Sequence, residues 1–195
     1  MNKGKIKTKS IEYTKKIVLI GMFAATITGG KFALMALPNI EVVTLLIMLY
    51  TYVFGLGMGL SATLIFCTVE MFIFPINSWV ISYYIYWPLL SIVTFIFKKL
   101  IMKNRVVVPL IIAVVLTTMF GVLTSLVDTL VFTSPDLYWK MFTAMYIRGV
   151  PFFVTHIVSN ALVVGLGFLP LSKVLMKLKE QFFPKENELK NKDIL

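Results

Sequence analysis

Cysteine and histidine are all but missing from this chain, which holds one of each, Cys67 and His156. A single cysteine excludes an internal disulfide, and one histidine with one cysteine makes a poor zinc site. Cys67 lies in an apolar run, where a small buried thiol is expected, and it says nothing of the redox compartment. Catalytic signatures are absent too. The sequence has no G-x-x-x-x-G-K-[ST] phosphate loop, no H-E-x-x-H pair and no G-x-S-x-G elbow, so it carries no motif for driving transport with ATP and none for these hydrolytic chemistries. Charge is thin: Asp, Glu, Lys and Arg make up 14% of 195 residues, against 58% hydrophobic residues and a mean hydropathy of +0.89. A chain this apolar cannot hide its side chains in a soluble core and belongs in a bilayer.

What charge there is has one dominant sign, a formal +10. Its lysines and arginines flank apolar stretches and form no stripe of basic and aromatic residues, which fits membrane topology and not nucleic-acid binding. The first 16 residues carry Lys3, Lys5, Lys7, Lys9, Lys15 and Lys16 against Glu12. They should stay on the cytoplasmic side, followed by an uncleaved first helix from about Ile17 to Leu37, since the apolar run continues past the small residues and no A-x-A-like site is evident. On that helix Gly21, Ala25 and Gly29 recur every four residues, a stripe that lets another helix approach closely, whether from the same chain or from a partner.

Pro38 and Asn39 predict a break and Glu41 an outer surface. From Ile40 to Phe74 the apolar run is longer than one span needs and is interrupted by Gly55, Gly57 and Gly59. Charge parity favours two short helices over one tilted one. Six spans put Lys98, Lys99, Lys103 and Arg105 inside, with the tail lysines 173, 177, 179, 185, 190 and 192, and leave Lys31, Lys140 and Arg148 outside. The expected fold is therefore an all-α integral membrane protein of six transmembrane helices over residues 17–169, with both termini cytoplasmic, in the cell membrane. The remaining spans are expected at about Leu60–Phe74, Val80–Phe97 with a kink at Pro88, Val106–Phe132 and Val150–Leu169. Outer loops should cover residues 75–78 and 133–140. Pro170 should end the last span, and Leu171, Val174, Leu175, Leu178 and Phe182 then predict a basic amphipathic helix in residues 170–195.

With that topology the polar groups gather in the outer half. Glu41, Glu70, Asn77, Asp128 and Arg148 lie near the outer ends, with His156 and Asn160 deeper on the last helix. Residues 148, 152, 156 and 160 stay near one helix face. Charged groups at membrane depth cost roughly 2.5 to 3.5 kcal/mol each, so they should face the protein interior or water. A cavity open to the outside and walled by Tyr83, Tyr84, Trp87, Phe152, His156 and Asn160 suits a planar, partly aromatic solute with hydrogen-bonding edges.

Blander roles stand beside these. Glu70 or Asp128 pairing with Arg148 would hold helices together, and His156 bonded to Thr155, Ser159 or another helix would be a satisfied core group. Tyr83, Tyr84 and Trp87 as packing, and Trp79, Tyr138 and Trp139 as interfacial aromatics, complete the alternatives. At the level of function these packing roles correspond to a structural or assembly subunit, while a proton-coupled secondary carrier using Glu70, Asp128 or His156 as proton sites and an intramembrane enzyme are separate alternatives.

The stretches LPNIEVVTLL, INSWVISYYIYWPLL and RGVPFFVTHIVSN, with the small-residue stripe, resemble the substrate-binding S components of energy-coupling factor transporters over residues 15 to 172. The resemblance implies high-affinity capture of a water-soluble vitamin or precursor, and partnership with a transmembrane coupling subunit and two ATPases that use ATP and magnesium. It implies no cofactor in this chain. It also implies that the Gly21–Ala25–Gly29 face meets the coupling subunit and that the loop Leu37 to Glu41 gates the pocket.

Overall fold

A computed structural model describes residues 3–74 and 77–184. Pro75 and Ile76 of the expected outer loop, and tail lysines 185, 190 and 192, lie outside the described residues. Among the described residues the chain is all helix: α1 Lys3–Ala33, α2 Val43–Phe54, α3 Leu56–Ile73, α4 Ser78–Ile96, α5 Lys98–Lys103, α6 Val107–Phe132 and α7 Tyr138–Phe182, with a 3-10 turn Pro135–Leu137 before α7. Five of these segments are long and apolar enough to cross a membrane, and α2 is a shorter apolar helix.

The glycine cluster does divide the long apolar run, at Gly55. Its φ of 95° lies in the region that glycine enters freely and other residues avoid. Gly59 then lets α3 start directly against α2, because a Cβ there would stand 2.7 Å from the Thr51 Cα. The two helices turn back on each other. Lys179 near the end of α7 reaches the Val53 carbonyl at the foot of α2, whereas Glu70 near the end of α3 meets Lys31 near the end of α1.

Similar pairings orient the other helices. Ser78 at the start of α4 bonds Asp128 near the end of α6, and Lys98 at the start of α5 faces the Tyr52 ring. Up-and-down threading therefore collects Lys31, Glu41, Glu70, Asp128 and Arg148 at one end of the bundle. Lys98, Arg105 and Lys179 collect at the other. The core between them is apolar, with Ile27, Ile47, Met48, Phe66, Leu90 and Phe168 fully buried. The outside is apolar as well: Phe72 is 80% exposed and Leu166 76%. A soluble monomer does not surround itself with such a surface; a protein solvated by lipid does.

Two boundaries differ from the sequence expectation. The 133–140 segment is loop only to the 3-10 turn, and α7 begins at Tyr138. Pro151 therefore lies in the helix interior and not in its first turn, and Pro170 does not end the helix, which runs unbroken to Phe182. Neighbouring helices and lipid-phase backbone bonding tolerate proline within a membrane helix.

Candidate functional site

The polar end is built from three connected clusters. In the first, Glu41 in the α1–α2 loop reaches down as the loop turns through Asn39, whose φ of 60° is a conformation asparagine tolerates. Its carboxylate accepts from the Thr44 amide at 2.9 Å, so a negative group caps the N-terminus of α2, and also from the Thr44 hydroxyl. His156 Nε2 on α7 lies 3.3 Å from the same carboxylate. Asn160, one turn further along α7 and fully buried, donates to Thr44 Oγ1 at 3.2 Å and to Thr117 Oγ1 on α6 at 2.9 Å. A chain of side-chain hydrogen bonds thus ties the loop, α2, α6 and α7. Burial pushes the Glu41 carboxyl up, but the His156 bond and charge, with the Thr44 hydroxyl and amide, pull harder and hold it below the ordinary carboxylate value.

The second cluster is aromatic and centres on Phe120 of α6. His156 stands edge-on to its ring at 5.6 Å between centroids, Tyr86 lies at 4.6 Å, Trp87 at 6.2 Å and Tyr83 at 6.3 Å. Several polar atoms here are buried without partners among the described residues: Trp87 Nε1, Tyr86 Oη and Asn160 Oδ1. The Tyr86 hydroxyl sits beside Thr44 and Thr117 but makes no well-formed bond to either. Buried polar atoms are nearly always satisfied, so one donor, one acceptor and one hydroxyl left open around a shared aromatic floor require an explanation.

The third cluster is a caged ion pair. Glu70, fully buried, pairs with the Lys31 ammonium, which faces the rings of Phe74 at 4.9 Å, Tyr83 at 5.0 Å and Trp79 at 5.1 Å. Tyr83 belongs to both aromatic groups, so the cage and the Phe120 cluster share a wall. At the rim, a cavity of about 560 Å³ is lined by Asn77, Trp79, Asp128, Arg148 and Phe152 among others. Asn77 caps α4, accepting from the Ser78 amide at 2.7 Å, and the Ser78 hydroxyl donates to Asp128.

The structure thus brings Glu41, Trp87, His156 and Asn160 together and joins Tyr83 and Glu70 to them. Asn77, Asp128 and Arg148 stand apart at the rim. Tyr84 turns away, its hydroxyl 2.8 Å from Thr68 Oγ1 of α3, and Phe152 is 56% exposed. The expected Arg148 pairing does not form. Glu70 takes Lys31, the nearer cation on the neighbouring α1, Asp128 takes Ser78, and no acid lies within ion-pair distance of Arg148 among the described residues. Thr44, Tyr86, Thr117 and Phe120 had no sequence signal, being ordinary residues of apolar helices.

The stripe on α1 faces away from the bundle. A Cβ added at Gly21 or Gly29 would meet nothing within 4 Å, and Ala25 is exposed, so this face packs against none of the described residues. Among the described residues no group of three or more His, Cys, Asp or Glu is gathered to hold a metal ion. No family model, curated protein or solved structure matches the chain. The chemistry available is therefore that of the clusters themselves: aromatic faces, a part-buried acid–imidazole pair and hydrogen-bonding atoms without partners among the described residues.

Proposed function

We propose that this chain is a membrane-embedded capture subunit that takes up a small, ring-bearing, water-soluble solute of the vitamin or vitamin-precursor type. A separate coupling subunit and two ATPases supply the energy. The observation that carries this reading is the set of open polar atoms on Tyr86, Trp87 and Asn160 around the Phe120 floor, beside Glu41 and His156. A planar solute with hydrogen-bonding edges would satisfy them and stack on the aromatic faces.

Six crossings follow if α2 spans as a short helix. Its 12 residues rise about 18 Å at 1.5 Å each, so the bilayer must thin or neighbouring helices tilt around it. The end bearing Lys98, Lys99, Lys103 and Arg105 is then cytoplasmic, and so are both termini, while the Glu41 end faces out. The Leu37 to Glu41 loop becomes the gate, since its carboxylate closes onto His156. The unpacked Gly21–Ala25–Gly29 face offers close approach to the coupling subunit.

Co-expression with a coupling subunit and ATPases, followed by uptake of labelled vitamins, tests the proposal. ATP-dependent accumulation of one of them is expected; no uptake and no tight ligand across the panel would overturn it. A second reading, a self-sufficient proton-coupled carrier, is favoured by the part-buried Glu41–His156 contact, an acid beside an imidazole at membrane depth. It requires uptake by the protein alone in liposomes under a proton gradient, and the absence of such uptake rejects it.

A further inference from the structure

The opposite end of the bundle holds a second cavity, of about 500 Å³, whose lining includes Tyr52 of α2, Lys98 of α5, Arg105 of the α5–α6 turn, and Met176, Lys179 and Glu180 of α7. Its three cations come from separate elements and form no ion pair among the described residues. Arg105 Nη1 has the Met176 thioether at 3.7 Å, a weak acceptor that leaves most of the guanidinium donors unused. Lys98 Nζ stands 6.0 Å from the centre of the Tyr52 ring. Lys179 Nζ spends one donor on the Val53 carbonyl at 2.7 Å, where a cation suits the C-terminal end of α2. Glu180, the lining carboxylate, is exposed.

A polar atom points to what would fill this space. Tyr52 is 1% exposed, and its hydroxyl lies beside Arg105 yet makes no well-formed hydrogen bond among the described residues. Donors outnumber acceptors in this wall, so the missing group is an acceptor-rich anion. We propose that this cavity binds a phosphate-bearing anion, held by Arg105, Lys98 and Lys179 with the Tyr52 hydroxyl as an additional donor. Guanidinium groups bind phosphate oxygens through paired N–H bonds, and basic pockets between helices at the cytoplasmic surface accept phospholipid headgroups. Continuation of α7 through Pro170 is what brings Lys179 to the pocket.

The phosphate has two possible sources, an anionic lipid headgroup or a soluble phosphate. Thermal unfolding of the full chain in nanodiscs separates them, comparing phosphatidylcholine alone, phosphatidylcholine doped with phosphatidylglycerol, and phosphatidylcholine with added inorganic phosphate at constant ionic strength. At tenfold over half-saturation, a specific ligand raises the midpoint by roughly 3–6 °C. A rise with phosphatidylglycerol identifies the headgroup; a rise with inorganic phosphate identifies the soluble anion. Either rise must vanish in Lys98→Gln combined with Arg105→Gln and survive in Lys173→Gln combined with Lys177→Gln, which removes the same charge from the exposed face of α7. Tyr52→Phe, which keeps the ring and removes only the hydroxyl, should shrink the rise and covers the case in which the double variant does not fold. No rise with either probe, an equal loss in both lysine-bearing pairs, or a full rise in Tyr52→Phe when the double variant fails to fold overturns the proposal.

Discussion

Replacing Lys31 by Met should be the most damaging single change at the polar end, and far more damaging than replacing its partner. Glu70 has no exposed surface; one of its oxygens meets the Lys31 ammonium and the other has no partner among the described residues. Without Lys31 a carboxylate is stranded in the interior, a loss of about 3–5 kcal/mol. Glu70→Gln leaves the lysine better placed. Its side chain is 21% exposed and keeps the faces of Phe74, Trp79 and Tyr83, so the loss should be nearer that of a hydrogen bond to a charged group, about 1.5–3 kcal/mol. The double variant, with neither charge, should recover much of the Lys31→Met loss. Thermal unfolding in nanodiscs reads these differences at roughly 2–4 °C per kcal/mol. Equal losses for the two single variants, or additive losses in the double variant, would refute the caged-pair account.

Other outcomes follow from the same geometry. Trp87→Phe keeps the aromatic contacts with Tyr83 and Tyr86 but removes the buried, unpartnered Nε1 donor, so solute retention should fall while the unfolding midpoint of the ligand-free protein holds or rises. Gly59→Ala forces a Cβ against the Thr51 backbone and should cost about 1–3 kcal/mol in thermal unfolding, since backbone yields less readily than a side-chain tip. Glu41 has a lowered carboxyl value when folded, so its contribution is present above the ordinary 4.5 and is lost as pH falls through the folded value. Unfolding midpoints followed down to acid pH should show that loss, and Glu41→Gln should flatten it. Ala25→Leu should leave the isolated protein's stability unchanged, because its position is exposed, and, on the proposed partnership, should abolish co-purification with a coupling subunit.

Much of the architecture was legible because it rests on local signals. The glycine cluster marked the α2–α3 break, and Gly55 supplies the positive φ that the turn requires. Confinement of charge to helix ends separated a basic end from a polar one, and the four-residue spacing of His156 and Asn160 set both on the α7 face that meets Thr44 and Glu41. What stayed hidden is long-range or carries no chemical signature. Lys31 and Glu70 lie 39 residues apart, and nothing in either segment marks the other as partner. Arg148 was the more conspicuous cation, yet it lies at the rim while Lys31 faces the interior from the adjacent helix. Thr44 and Thr117 sit in apolar helices, where threonine hydroxyls often bond their own backbone and so carry no signal; here they complete the Asn160 network. Pro170 misled because proline's cost in a soluble helix is not its cost within a membrane bundle.

Native mass spectrometry of the protein purified from its own host, beside the Trp87→Phe and Asn160→Leu variants, tests the capture claim most directly. The account predicts one non-lipid small molecule bound one to one in the natural chain and lost or sharply reduced in both variants. A spectrum free of such a ligand under conditions that preserve bound lipid, or an equal ligand signal in all three proteins, would contradict it.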